Sequence, residues 1–436
     1  MEIRDPIHGA IEISPEFSQI IDSAAYQRLR AIKQLGFSEF SFPGATHNRY
    51  LHSLGVSHLA GVVFDNIFKN YNFSTSDVKY RMREAVKLGA LLHDIGHGPL
   101  SHTTEEVMPK LQSLKVKAYE QRRSDVATEE ITADTQANHE DYSIKFVTDS
   151  SLTKILESSF KDISPIHIAC LIDKSLSCPD DFFVDQGVDY RTLLSQMVSS
   201  EIDVDRMDYL ERDAYCCGTS YGKVDLHWLI ANLTMHIKDD EAFLALNRKA
   251  LYTFDDFLLS RHHMHLMVYF HHKSVIYEEM LYRYFTSDDN QFSLPSDIEE
   301  YIKYNDYLLY QHLAGSNNEW AKRISERRPY KVLFELHSTG SNNRTEKMQK
   351  ELEKEGVPSI LSSSYARVSK YHTASQAEKS FPIYVVDQYD TQAKPYSIEE
   401  STEIFKKYEE IRLIERLYVE PEKFSSSQKL IIDKKL

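Results

Sequence analysis

Cysteine is scarce in this chain. Four of its 436 residues are cysteine, Cys170, Cys178, Cys216 and Cys217, too few for a disulfide scaffold. Cys216 and Cys217 are adjacent and lack the spaced pairs of a zinc site, so reduced thiols are expected. Long apolar runs are missing too. None reaches the roughly 18 residues of a membrane span, and the opening MEIRDPIHGAIEI has no apolar signal-peptide core. A cytoplasmic location without a membrane partner is the expectation. Nor is there a basic surplus: 51 Lys and Arg stand against 66 Asp and Glu, a net charge of −15. Such a chain is unsuited to broad wrapping of nucleic acid, and an anionic ligand would need a local basic pocket. Internal repeats are absent, and strand-like alternation is thin before residue 330.

What is present suits a globular protein with a large core, 42% hydrophobic and 27% charged. The length allows two or three domains, or one large domain with appendages. The first three-quarters reads as helical. Asp22–Arg30, Glu84–His93, Arg206–Asp213, Leu251–Tyr269 and Lys273–Tyr284 carry helix formers or apolar residues at helical spacing. Gly36–His47 is punctuated by Gly36, Pro43 and Gly44 and reads as a loop. Residues 109–138 form a polar insertion holding Lys115, Lys117, Arg122 and Arg123, expected to be a mobile or partly helical surface segment. Near residue 327 the character changes. Tyr330–Leu336 and Phe381–Val386 read as strands, with a Lys/Glu-rich helix Thr345–Glu355 and a Ser-rich loop Ser362–Ser364 between them. Residues 400–416 read as helical and the last residues as a charged tail. The fold class expected is mainly α: a helical bundle over 1–326 with a small α/β region over 327–436.

The strongest chemical signal is Leu92-His93-Asp94-Ile95-Gly96-His97-Gly98-Pro99. A neutral imidazole and a carboxylate at the end of one apolar helix suit a divalent cation, and an unpaired Asp94 would be costly to bury there. Alone, the pair could equally be a C-terminal histidine with a capping aspartate. It has company, however. His52 opens another apolar helix, and Asp205 lies in Glu201-Ile202-Asp203-Val204-Asp205-Arg206-Met207-Asp208-Tyr209. Asp205 and Asp208 are three apart and share a helix face, whereas Asp203 points elsewhere. Two histidines and two carboxylates make a shell with room for water, and Mg, Mn, Fe, Ni or Zn would each fit it to some degree. His97, His102 and His139 follow close by.

The order H…HD…D resembles the HD superfamily of phosphohydrolases. Asp5-Pro6-Ile7-His8-Gly9, Gln27-Arg28-Leu29-Arg30, Ile32-Lys33-Gln34-Leu35-Gly36, His52-Ser53-Leu54-Gly55-Val56, His139-Glu140 and the Asp203–Tyr209 segment extend the likeness over roughly residues 1–340. Together they look like the deoxynucleoside triphosphate triphosphohydrolase branch, though no SAM domain is expected here. The resemblance implies one divalent ion on His52, His93, Asp94 and Asp205, and attack of activated water on the α-phosphorus of a dNTP. It implies catalytic roles for His139, His102 and Glu105, with His97 on phosphate. Glu105 stands where the family has Asp. Arg49, Arg206 and Arg261 would meet the triphosphate, Arg206 replacing a lysine. Gln34 and Asp213 would hold the 3′-hydroxyl, Leu35 and Tyr269 would wall off the 2′ position, and Tyr209 would be a further contact. Asp22, Gln27, Arg30 and His271 match parts of nucleotide effector sites, whereas Met1, Glu2, Met267 and His272 stand where basic residues are expected. A homo-oligomer is implied. The metal core by itself leaves a nucleotide monophosphatase or phosphodiesterase open, and a non-catalytic nucleotide-sensing protein is the reading outside enzymology.

Overall fold

The computed structural model describes residues 1–123, 132, 134–338, 343–366, 381–390, 392–401 and 412–434. Helices dominate, and the longest carry the site. Asn48 accepts the Leu51 N–H and caps the helix Arg49–Ile67. Thr75 caps Ser76–Leu92 through the Val78 N–H, and Asp203 caps Val204–Cys217 through the Arg206 N–H. Each cap satisfies donors that the first turn leaves orphaned. The Arg49–Ile67 helix packs against both of the others. It is buried nearly all round, with fourteen buried residues, because it runs through the centre of the domain. No helix among the described residues is long and apolar enough to cross a membrane.

Several expected helices appear with shifted ends. Asp22–Arg30 resolves into a short helix Ala24–Gln27 and a 3-10 turn Arg28–Ala31. Leu251–Tyr269 is α-helical to Met264 and then widens into a π-turn, His265–Tyr269, a distortion common at functional sites. The Gly36–His47 loop contains a 3-10 turn, Gly36–Phe40. In the 109–138 insertion, Leu111–Leu114 and Lys117–Gln121 are helical turns pinned by buried Leu111, Leu114 and Ala118. Residues 124–131 and 133 of that expectation lie outside the described residues.

Strands occur before residue 330 where alternation was thin. An antiparallel hairpin, Glu2–Asp5 with Gly9–Glu12, opens the chain and pairs Ile3 with Ile11. Leu233–Lys238 and Glu241–Asn247 form a second, longer hairpin. Its inner strand has five consecutive buried residues, so burial on both faces erases the period-two signature. Glu241–Asn247 also pairs in parallel with Tyr384–Val386, which brings that late segment onto the first core.

The C-terminal part is a three-stranded antiparallel sheet with Arg412–Val419 between Lys331–Ser338 and Ser359–Ala366. The helices Arg344–Lys354 and Phe424–Asp433 pack on it, around Met348, Leu352, Leu417 and Val419. Three expectations are corrected. Ser362–Ser364 lies within a strand, Arg412–Arg416 is strand and not helix, and Phe424–Asp433 is a helix and not a charged tail. The rest of the helix expected over 400–416, residues 402–411, lies outside the described residues. Arg412–Val419 is buried on both faces from Leu413 onward, so its apolar pattern mimics a helix. The serines are held in a strand by pairing along its whole length, which overrides local propensity.

Gly55 shows how closely the site helices meet. A Cβ there would lie 2.0 Å from Asp208 Oδ1 and 2.4 Å from Arg212 Nη2. Gly55→Ala is therefore expected to cost about 1–3 kcal/mol or more by overpacking. Thermal unfolding of the variant checks this, and an unchanged Tm would contradict it.

Candidate metal and phosphoester site

The three capped helices deliver their side chains to one point. His52 stands one turn into its helix, His93 and Asp94 follow the last turn of theirs, and Asp205 lies in the first turn of its own. One ligand atom from each of these four residues falls within 4.8 Å of the others. His52 Nε2 is 2.9 Å from Asp205 Oδ1 and 3.6 Å from Asp94 Oδ2. His93 Nε2 is 3.4 Å from Asp94 Oδ1 and 3.5 Å from Asp205 Oδ1.

The other face of each imidazole decides what those Nε2 atoms are. His93 Nδ1 lies 2.8 Å from the Ala90 carbonyl, which can only accept, so Nδ1 carries the proton. His52 Nδ1 lies 2.8 Å from Asp208 Oδ2 and donates to it likewise. In the neutral rings both Nε2 atoms are bare lone pairs. Both are buried without an aligned hydrogen-bond partner, and two carboxylates face them. An outer hydrogen bond fixing the ligand tautomer is the usual companion of a metal-binding histidine. The donor set therefore fits a divalent cation. Without one, burial lowers the affinity of His52 and His93 for protons, but the surrounding carboxylates outweigh it and raise them to about 9 and about 10.

Behind this shell lies a buried ionic network. Asp208 is fully buried and accepts from His52, from His8 at 2.6 Å and from Arg212 Nε and Nη2 at 2.8 Å each. Arg212 Nη1 reaches Asp5 at 2.7 Å. Burial would raise Asp208, but Arg212 and the histidines hold it well below the usual carboxylate range. Asp5 and His8 come from the N-terminal hairpin, so its seat is electrostatic.

A second cluster adjoins the first. His97, His102, Glu105 and His139 bring ligand-type atoms within 4.8 Å of one another. The rings of His97 and His139 stack at 3.8 Å and 12°. Glu105 Oε1 accepts from His139 Nδ1 at 2.5 Å and His102 Nδ1 at 3.0 Å. Burial opposes ionisation of Glu105, but these two bonds hold it at about 2. The carboxylate partner of His139 is thus Glu105; Glu140, next to it in sequence, makes no such bond and is pushed up by burial. Burial, Arg49 and His139 push His97 well below the usual histidine value, so His97 is neutral. Gly96 lets the His139 helix approach: a Cβ there would lie 2.0 Å from the His139 carbonyl.

The cationic residues are engaged. Arg49 pairs with Asp94 Oδ2, and its Nε donates to Ser101 Oγ at 2.9 Å. Leu100 and Ser101 are both left-handed, with φ of 56° and 62°. Ser101 Oγ donates to the Lys33 carbonyl. Asp306 accepts from the Leu100 N–H and the Lys33 N–H with its two oxygens. The loop carrying Gln34 and Leu35 is so tied to the His97–His102 turn. Gln34 Oε1 is buried without a partner. Arg261 Nη1 lies 2.9 Å from Glu201, and Arg206 Nη1 lies 3.4 Å from Asp203 and 3.9 Å from Glu201. Tyr269 donates to Asp213 at 2.8 Å, and its ring lies 6.3 Å from that of Tyr209. His47 takes the other oxygen of Asp213 at 2.8 Å.

Asp22, Gln27 and Arg30 gather around Tyr50, whose phenol is raised by burial and modulated by all three. Arg30 lies 3.6 Å over the Tyr50 ring and donates to Gln27. His271 is engaged elsewhere, with Ser41 and Phe42. A further grouping, His167, Cys178 and Asp180, is differently built. His167 Nδ1 accepts the Ser164 N–H, so Nε2 carries the proton toward Asp180 and offers an ion no lone pair.

Sequence reasoning had assigned no role to Asp5, His8, His47, Glu201, Asp208, Arg212 or Asp306. Asp208 was on the right helix face. Arg212 meets Asp208 at the helical i,i+4 spacing, whereas Asp5, His8, His47, Glu201 and Asp306 act on partners far away in sequence.

Comparison with known proteins agrees with this architecture. Residues 49–213 match the model of the HD domain, and residues 224–364 that of the HD associated region. An uncharacterized protein from Methanocaldococcus jannaschii is 29% identical over 332 residues, which cover 76% of this chain and 59% of that protein. The deoxynucleoside triphosphate triphosphohydrolase SAMHD1 homolog of Dictyostelium discoideum is 30% identical over 347 residues, 77% of this chain and 60% of that one. Deoxynucleoside triphosphate triphosphohydrolase SAMHD1 of Homo sapiens is 27% identical over 370 residues, 78% and 55%. The chain thus spans 55–60% of the length of these relatives. The crystal structure of a hypothetical protein from Aquifex aeolicus shares the fold, with a TM-score of 0.71, 24% identity and 99% of both chains covered.

Two measurements test the site. Asp208→Asn removes the charge that orients His52, and divalent-ion affinity measured by calorimetry is expected to fall about 10–100-fold; unchanged affinity would contradict the outer-shell role. The second concerns His47. Burial disfavours its cation, but Asp213 and Cys216 raise it to about 9. A raised histidine stabilises fully below its unfolded value of about 6.5 and loses that contribution as pH climbs through 9, at most about 3 kcal/mol. The Tm gap between the wild type and His47→Gln should therefore narrow from pH 6.5 to 9.5. A constant gap would mean that the pair is not ionic.

Proposed function

We propose that this HD-domain protein is a metal-dependent deoxynucleoside triphosphate triphosphohydrolase, turning a dNTP and water into a deoxynucleoside and tripolyphosphate. One observation carries the reading: two buried, bare Nε2 atoms and two carboxylates stand beside a histidine whose far nitrogen is held by a carboxylate. Two relatives that carry the name of this activity support the choice of substrate.

His52, His93, Asp94 and Asp205 hold the ion. When bound, it polarises a phosphoryl oxygen and activates water. His139 protonates the departing 5′-oxygen. Its Nδ1 is anchored on Glu105, so Nε2 is the free edge, and it delivers the proton from the imidazolium form that the carboxylate supports. The neutral, stacked His97 orients that ring and offers a hydrogen bond to phosphate. His102 shares the Glu105 oxygen and can exchange places with His139 as its partner. Arg49, Arg206 and Arg261 take the phosphate oxygens. Gln34 and Asp213 receive the 3′-hydroxyl, while Leu35 and the Tyr269 ring, fixed by its bond to Asp213, close the space at the 2′ carbon.

The test incubates each dNTP, each rNTP, deoxynucleoside monophosphates and cyclic nucleotides with Mg²⁺ or Mn²⁺ and identifies both products. Deoxynucleoside plus tripolyphosphate is expected from dNTPs alone. Release of orthophosphate or pyrophosphate would overturn the reading, and turnover of the monophosphates or cyclic nucleotides alone would move the activity to a monophosphatase or phosphodiesterase. His139→Gln should lower kcat by about 10²–10⁴-fold at little cost in KM.

A further inference from the structure

Every arginine assigned to the triphosphate already faces a carboxylate. For Arg49 the partner is Asp94, itself one of the four proposed metal ligands, so that pairing is part of the metal site. For Arg206 and Arg261 it is different. Glu201 belongs to neither the metal shell nor the histidine cluster, and its side chain is only 4% exposed. Its Oε2 lies 2.9 Å from Arg261 Nη1 and 3.9 Å from Arg206 Nη1. Arg206 Nη1 is also 3.4 Å from Asp203 Oδ2, yet that nitrogen is buried without a hydrogen bond. Asp203 is held in its place by the N–H groups of Ser200 and Arg206, which its two oxygens accept at the helix N-terminus. Two guanidinium groups therefore face two carboxylates in a largely buried setting, and one guanidinium N–H still lacks an acceptor.

We propose that Glu201 is a built-in competitor for the polyphosphate, an internal anion that occupies Arg261 and Arg206 in the free protein and sets the affinity for substrate. The inference rests on the proposed triphosphohydrolase reading for its substrate. Its physical content concerns only anions at these two arginines. Burying two guanidinium groups without counter-ions would be costly. Glu201 lowers that cost with the chemistry of the ligand, an acceptor oxygen at hydrogen-bond distance from Arg261 and a nearby negative charge for Arg206. An incoming polyphosphate has to displace or share it, and carries the open acceptor position for Arg206 Nη1 with it. The carboxylate belongs to the turn just before the Val204–Cys217 helix and is not part of the helix that carries Asp205. The outcome is a site that binds polyphosphate more weakly than its arginines would allow, discriminates by charge between polyphosphate and singly charged phosphoesters, and stays charge-balanced when empty.

The test compares the wild type with Glu201→Gln, which keeps the shape and removes the charge. Two readings are taken: KM and kcat for dNTP hydrolysis, and binding of inorganic tripolyphosphate by calorimetry. Removing the competitor is expected to lower KM and to tighten tripolyphosphate binding by about fivefold or more, with the change falling on KM more than on kcat. If Glu201→Gln does not fold, Glu201→Asp, which draws the charge back by one methylene, is expected to shift both in the same direction by less. Weaker or unchanged tripolyphosphate binding would overturn the inference, for it would mean that Glu201 holds the arginines in place and does not compete. The two proposals fail separately. A wild type that hydrolyses dNTPs while the variant binds no tighter sinks only the competitor. A wild type inert toward dNTPs whose variant still binds tripolyphosphate more tightly sinks only the reaction.

Discussion

The buried Asp208 carboxylate is the contact on which the rest of the site depends. A fully buried anion is tolerable only if every lone pair is used, and Asp208 meets the condition with Arg212, His8 and His52. Each bond has a structural consequence. Arg212 carries the chain of charge onward to Asp5 and so seats the N-terminal hairpin. His52 is turned so that its Nε2 faces His93, Asp94 and Asp205. The close approach of the helices at Gly55 makes the arrangement geometrically feasible. A four-residue grouping that could hold an ion, carried by three helices, thus shares its rigidity with the core of the domain, as preorganised chemistry requires.

Charge balance runs through the whole pocket. Basic side chains and carboxylates are paired throughout: Arg49 with Asp94, Arg261 and Arg206 with Glu201 and Asp203, and His47 with Asp213, while Glu105 is shared by His102 and His139. What remains unmatched is informative. The atoms left buried and without hydrogen-bond partners include His52 Nε2, His93 Nε2, His97 Nδ1, Gln34 Oε1 and Arg206 Nη1. Native proteins seldom leave such groups unmet unless a ligand meets them. Two of them, His52 Nε2 and His93 Nε2, belong to the four-residue grouping that could hold a metal ion.

The backbone around the pocket is shaped for the same end. Leu100 and Ser101 adopt left-handed geometry, which costs non-glycine residues about 1–3 kcal/mol each. The strain is held by Asp306, which bonds both Leu100 and Lys33, and it aims Ser101 at Arg49. The π-turn at His265–Tyr269 likewise rotates Tyr269 toward Asp213. These distortions cluster at the pocket, where positioning matters more than regularity.

The helical class, the long site helices and the four-residue grouping of His52, His93, Asp94 and Asp205 were legible in the sequence, because ligand-bearing residues in apolar helical stretches leave a local trace. The C-terminal sheet was legible only in part. Arg412–Val419 looks helical and Ser362–Ser364 looks like loop, since strand identity there comes from pairing between distant segments and not from local propensity. Partners were least legible of all. That Glu201 faces two arginines, that Asp306 clamps two loops and that His8 shares Asp208 are all decided by which surfaces the packed helices bring together. Residue type and spacing determine which chemistry a chain can offer; only the tertiary structure decides which groups are close enough, and dry enough, to act on one another.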